Sequence, residues 1–170
     1  MNIVQLVASI EEEASGPSYT VPSLARGLAM LDHDVTLMSL AQRADKKAEG
    51  KLTHVKYPYA QSGFSNRLGR APEMKVGLHS QLGHADIFHA QGLWQMPSVY
   101  PAQLIGKNQT PKFVITTRGM LGPGALQFSK MKKKLFWKLW QKQAVRAADC
   151  LHATSAVSYT HLTLPTTPYV

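Results

Sequence analysis

At 170 residues, 44% of them hydrophobic and 17% charged, the chain is long enough for one domain with a real core and too short for two ordinary ones. That balance excludes a disordered chain. A formal net charge of +9 favours an anionic partner (nucleic acid, a phosphorylated ligand or an acidic membrane surface) without choosing among them. The single cysteine, Cys150, excludes an internal disulfide framework and a multi-cysteine metal site, and its small and apolar neighbours predict a buried thiol.

The first apolar run, residues 3–10, has no basic leader and ends in Glu11, Glu12 and Glu13, which argues against a secretory signal. No stretch approaches the ~20 apolar residues of a spanning helix. The expected location is the cytoplasm, at most peripherally on the inner membrane face.

Residues 1–8 (MNIVQLVA) read as a buried first strand, followed by a small-residue loop at 15–18. Residues 21–31 form a helical pattern with Leu24, Leu28 and Leu31 on one face. A second strand is expected over 34–40, a polar, solvated connection over 41–50 and a third strand over 53–59. Pro72 opens a helix running to about residue 82. The strand at 86–90 (DIFHA) runs into Gln91-Gly92-Leu93-Trp94, and the strand at 113–117 (FVITT) into Arg118-Gly119-Met120-Leu121. One long helix is expected over 125–148, and a last strand over 150–154. The alternation predicts an α/β domain with a doubly wound, Rossmann-like parallel sheet and right-handed crossovers.

Residues 157–170 (VSYTHLTLPTTPYV) break this pattern, with no charged residue, two prolines and four threonines. Their first ten residues back-translate to a string resembling the mosaic end and adapter of transposon-based sequencing libraries. The expectation is therefore a domain over residues 1–156 and a non-native tail over 157–170.

In a doubly wound fold, ligands bind beyond the carboxyl ends of the strands, so three loops carry the candidate chemistry. The first offers Ser15, Gly16, Pro17 and Ser18 beside a helix start, where free N–H groups attract phosphate or another anion. Gly16 is equally an ordinary turn glycine. The loop is not GxGxxG and no acidic residue closes the second strand, which disfavours a nicotinamide dehydrogenase. His89 lies near a strand end, placed to accept a proton or to hydrogen-bond a sugar hydroxyl or phosphate, or else to sit satisfied in the core. Gly92 follows in its loop, and Trp94 could stack on a sugar ring. Arg118, before Gly119, would project a guanidinium into the cleft to bind phosphate or carboxylate, or would form a surface ion pair. The other histidines lack metal-ligand spacing, so no metal is expected.

The segment KMKKKLFWKLWQKQA, residues 130–144, mixes lysines with aromatic residues. It reads either as an ordinary surface helix or as one resting on an anionic bilayer through Lys130, Lys132, Lys133, Lys134, Trp137 and Trp140. Its apolar arc is wider than one packed face requires, since Trp137 and Leu139 lie about 160° apart at ~100° per residue.

The strings SGPSYTVPSLARGLAMLDHDVTLMS, DIFHAQGLWQMP, VITTRGMLGPGAL and RAADCLHATS together resemble the family 4 glycosyltransferases. These are retaining enzymes of the GT-B type, built from two Rossmann-like domains. The resemblance covers about residues 2–155, and the third and fourth strings carry most of it. It implies the N-terminal, acceptor-side half of an enzyme that transfers a sugar from a nucleotide diphosphate sugar to a glycan or lipid-linked acceptor. It implies no cofactor beyond that donor, and a C-terminal donor domain that this chain lacks, so the fragment alone should not turn over. It places Ser15, Gly16, Pro17 and Ser18 near donor phosphates or acceptor, and His89 and Gln91, the candidate catalytic residues, beside the transferred sugar. The family often has histidine at the second of these positions. Glutamine exchanges no proton near neutral pH, which removes an acid/base role there. The competing expectations are a self-contained, non-catalytic flavodoxin-like ligand-binding domain and a nucleic-acid module. No nucleic-acid motif supports the latter.

Overall fold

The computed structural model describes residues 1–11, 16–60, 63–106 and 111–154. Its sheet has seven strands: β1 (Asn2–Val7), β2 (Asp34–Ala41), β3 (Asp45–Glu49), β4 (Leu52–Pro58), β5 (Ile87–Gln91), β6 (Lys112–Thr116) and β7 (Cys150–His152). The spatial order is β3-β4-β2-β1-β5-β6-β7, and every pairing is parallel except the β3–β4 hairpin. The chain winds outward from β1 to β2 and β4, then returns to the other side of β1 for β5, β6 and β7. The order therefore reverses between β1 and β5, the position at which such sheets bind ligands.

The helices are α1 (Gly16–Met30), α2 (Gly63–Arg67), α3 (Pro72–Ser80), α4 (Tyr100–Leu104), α5 (Pro123–Gln127), α6 (Lys130–Phe136) and α7 (Lys142–Ala147). A π-helical segment, Trp137–Gln141, joins α6 to α7. Strand β1 is apolar but for Asn2 and Gln5 and buried from Ile3 to Val7, as expected of a strand covered on both faces. On one face Val4, Leu6, Met38, Leu40, Phe88, Ala90, Phe113 and Ile115 pack against Met74 and Leu78 of α3, Tyr100 of α4, Phe136 and Ala144. On the other face Val7, Val35, Leu37 and Leu52 pack against Val21 and Ala25 of α1. Close approach fixes the first layer: a Cβ on Gly77 of α3 would stand 2.2 Å from the Tyr57 hydroxyl.

The doubly wound α/β fold is as the sequence predicts, with five local differences. Residues 45–49 form an exposed edge strand instead of a solvated connection, because the backbone of β4 offers a free edge whatever the side chains of β3 are. Residues 16–18 are the first turn of α1, not a loop before it. Within α1 the buried line passes through Val21, Ala25 and Leu28, so Leu31 ends up 70% exposed. The expected single helix over 125–148 is broken at Ser129, whose φ of +55° is left-handed and cannot continue a right-handed helix. Cys150 is exposed rather than buried, because β7 is a three-residue edge strand open on both faces. The tail at 157–170 lies outside the described residues.

Candidate functional site

Alternation along the strands sends Phe88 and Ala90 into the first core and His89 and Gln91 to the α1 side. Thr116 of β6 and His152 of β7 fall on that same side, so the last turns of three adjacent strands present polar groups together. His89 Nε2 and Thr116 Oγ1 share a 2.7 Å hydrogen bond, and Thr116 Oγ1 shares a second, 3.0 Å, with His152 Nδ1. The two imidazoles stand 6.0 Å apart, centroid to centroid. Gln91 Nε2 lies 3.3 Å from both ring nitrogens of His89.

Arg118 closes this cluster. Its Nε and Nη2 donate to Gln91 Oε1 at 3.0 and 2.8 Å, and its Nη1 donates to Thr20 Oγ1 at 2.6 Å. Thr20 in turn donates to the Gly16 carbonyl at 2.8 Å, so the first turn of α1 is tied to the end of β6. Arg118 adopts φ +49° and Gly119 φ +71°, a left-handed pair that turns the chain sharply after the strand. Among the described residues no carboxylate pairs with Arg118. The surface ion pair considered from the sequence is therefore not seen among the described residues: the guanidinium is half-buried and held by neutral oxygens of Gln91 and Thr20.

Burial pushes His89 down to about 4, with the His152 and Arg118 charges acting in the same direction. At neutral pH His89 is an uncharged imidazole, able to accept at one nitrogen and donate at the other. Burial also lowers Arg118 from its ordinary value. The cluster as a whole is a set of hydrogen-bonding groups around one half-buried positive charge, suited to a polyhydroxy or anionic ligand. Among the described residues no three His, Cys, Asp or Glu side chains gather as a metal site.

Trp94 is placed differently from His89 and Arg118. Its φ is +67°, its indole Nε1 donates to the Met120 carbonyl at 3.2 Å, and its backbone N–H donates to Gln141 Oε1 at 3.0 Å. Its ring packs 6.1 Å from that of Trp137, with Lys133 Nζ 5.7 Å from the ring centroid. Gly92, at φ +98°, makes this turn, and a Cβ there would come within 3.2 Å of Met120 Cε. Ser15 lies outside the described residues. Gly16, Pro17 and Ser18 form the α1 start that Thr20 links to Arg118.

Sequence reasoning missed Thr20, Thr116 and Gln141. Thr116 and His152 could have been found by extending the strand alternation across β6 and β7. Gln141, fully buried in the π segment and accepting from Trp94 N and Ser98 Oγ, carries no sequence signal, because it joins residues 47 and 43 positions away. In the lysine helix, Trp137 and Trp140 turn inward against Trp94 and Phe136 rather than outward. Lys133 donates to the Ala125 carbonyl, while Lys130, Lys132 and Lys134 are exposed.

A doubly wound parallel sheet whose order reverses between β1 and β5 places the chain in the Rossmann-like α/β class. Residues 15–164 match the glycosyl transferase 4-like domain, and the chain belongs to that family. Comparison with curated proteins gives no significant match. Among solved structures the chain is similar to trehalose-6-phosphate from E. coli bound with UDP-2-fluoro glucose, at 10% identity and a TM-score of 0.52. It is also similar to the α,α-trehalose 6-phosphate synthase from Burkholderia multivorans, at 14% identity and a TM-score of 0.50. Both superpositions cover 95% of this chain but only 42% and 43% of those chains, so the sequence spans less than half their length. At such identities the likeness is one of fold.

Proposed function

We propose that this domain is the N-terminal, acceptor-side half of a retaining, two-domain GT-B glycosyltransferase. The whole enzyme would move a sugar from a nucleoside diphosphate donor to a glycan or lipid-linked acceptor, acting in the cytoplasm at the inner membrane face. The observation that carries this reading is the half-buried Arg118, fixed by Gln91 and Thr20 at the carboxyl ends of the strands with no carboxylate partner among the described residues. A positive group preorganised in a half-buried site stabilises phosphate charge as it develops on the leaving nucleotide. Family membership supports the transferase class.

His89, neutral near pH 7, is suited to hydrogen-bond the transferred sugar or the attacking hydroxyl without serving as a cation. Gln91 contributes orientation, because its carbonyl oxygen sets the Arg118 fork. No resident cofactor or metal is part of the reading.

The test is made on the protein extended through its second domain, with labelled nucleoside diphosphate sugars and glycan or lipid-linked acceptors. Transfer should be observed, the product anomer read by NMR should match the donor, and Arg118→Met should lower kcat by about 10². An inverted product would overturn retention. Absence of transfer, together with tight binding of a small ligand by residues 1–156 alone, would favour the flavodoxin-like binding domain instead.

A further inference from the structure

Between Asp86 and Asp149 the chain contains no acidic residue, and most of the lysines in that stretch lie on α6 and the segments that follow it. Residues four apart share a row along a helix. Lys130, Lys134, Lys138 and Lys142 form one such row; all are exposed, and none makes an ion pair among the described residues. Beside it runs a second row, Met131, Leu135 and Leu139, exposed to 87%, 57% and 51%. On a regular α-helix these rows would drift around the axis. The π turn at Trp137–Gln141 is wider and turns less per residue. Phe128, in the break before α6, is also 78% exposed.

The opposite side of the same helix is already occupied. Phe136 and Ala144 are in the core, Trp140 packs 5.2 Å from Phe136, and Trp137 packs on Trp94. The wide apolar arc thus divides into an inner face that meets the sheet and an outer one that meets nothing among the described residues.

We propose that this outer face of α6 and the π segment docks on an anionic lipid bilayer, with the Met131–Leu135–Leu139 row entering the headgroup layer and the lysine row pairing with lipid phosphates. The occupant follows from chemistry. A duplex nucleic acid would use the lysines and leave the apolar row in water. An apolar protein groove would use the leucines and desolvate the lysines. An anionic bilayer uses both, and shallow insertion of an apolar row flanked by lysines is how interfacial helices bind. The inserting side chains are therefore Met131, Leu135 and Leu139, not Trp137 and Trp140. The inference deepens the reading of a lipid-linked acceptor but is tested without donor or acceptor, so its failure leaves the transfer reaction standing.

The experiment is vesicle co-sedimentation of the chain with phosphatidylcholine alone and with phosphatidylcholine containing phosphatidylglycerol. Binding should require phosphatidylglycerol and weaken as salt rises. Lys134→Gln with Lys138→Gln should lower the partition coefficient about thirtyfold, at the usual contribution of a lysine near an anionic surface. Leu135→Ser with Leu139→Ser should lower it at least about tenfold, with far-UV circular dichroism unchanged. Tryptophan emission should resist quenching by brominated lipids, because the indoles face inward. Strong quenching would overturn the assignment of the inserting face, as would binding that the leucine pair does not affect. Absence of vesicle binding would overturn the proposal outright. So would self-association in sedimentation velocity abolished by the leucine pair, or duplex DNA binding that depends on the lysines alone.

Discussion

Lowering the pH from neutrality toward 5 should destabilise the fold through His89. An imidazole ordinarily titrates at 6.5, and burial holds this one at about 4. Between those values the unfolded chain binds a proton that the folded chain refuses, so unfolding is favoured as pH falls. Above pH 6.5 the contribution is absent; it grows through the window and saturates below pH 4. At pH 5 the unfolded imidazole is almost wholly protonated and the folded one almost wholly neutral, which costs about 2 kcal/mol. His54, lowered by its own burial beside Ser39, adds in the same direction. The assay is urea unfolding between pH 5 and 7.5 for the native chain and for His89→Gln, which removes the titration and keeps a hydrogen-bonding side chain facing Thr116. The substituted protein should lose about 2 kcal/mol less over that range. Parallel pH profiles for the two proteins would refute the reasoning, as would an NMR titration of the His89 ring centred near its ordinary value.

Four other outcomes follow from contacts in the structure. Gly77→Ala should cost about 1–3 kcal/mol despite the better helix propensity of alanine, because its Cβ would meet the Tyr57 hydroxyl, and Tyr57→Phe should recover part of that loss in a double-mutant cycle. Gly92→Ala should cost about 1–3 kcal/mol, and Met120→Ala should relieve only the contact share, leaving the left-handed φ to be measured separately by thermal unfolding. Gln141→Leu should cost about 1–3 kcal/mol by stranding Trp94 N–H, while Ser98 Oγ keeps its bond to the Gln95 carbonyl, with a shift in the emission of Trp94. Gln91→His should lower the melting temperature and raise the mobility of the Arg118 side chain in NMR relaxation, because one ring nitrogen cannot accept both N–H groups now bound to Gln91 Oε1.

The fold was largely legible because its rules are local. Near-continuous apolar runs such as residues 3–7 signal strands buried on both faces, and their alternation with helical patterns leaves few topologies. Strand β3 was not legible: Asp45–Glu49 is fully exposed and held only by main-chain bonds to β4, which place no demand on side-chain type. The break at Ser129 was hidden for a similar reason. A left-handed serine has no compositional mark, and the residues on either side keep a helical pattern. Cys150 was misjudged because apolar neighbours in sequence are neighbours in space only when something covers them, and a short edge strand is not covered.

The site was legible as positions but not as partnerships. His89, Gln91 and Arg118 are each visible at the end of an apolar run, while the Thr20 link spans 98 residues and depends on how α1 meets β6. That link changes the meaning of glutamine at position 91. The family resemblance casts the residue as a histidine that has lost its proton chemistry. In the structure its carbonyl oxygen accepts two N–H groups from a cation that no carboxylate among the described residues balances, while its amide faces the His89 ring. A carboxylate at 91 would hold the same fork but cancel the charge, and a histidine could not accept both bonds. An amide is the side chain that fixes Arg118 and leaves its charge available. In this domain position 91 is therefore tuned to the electrostatics of the cleft rather than to moving a proton.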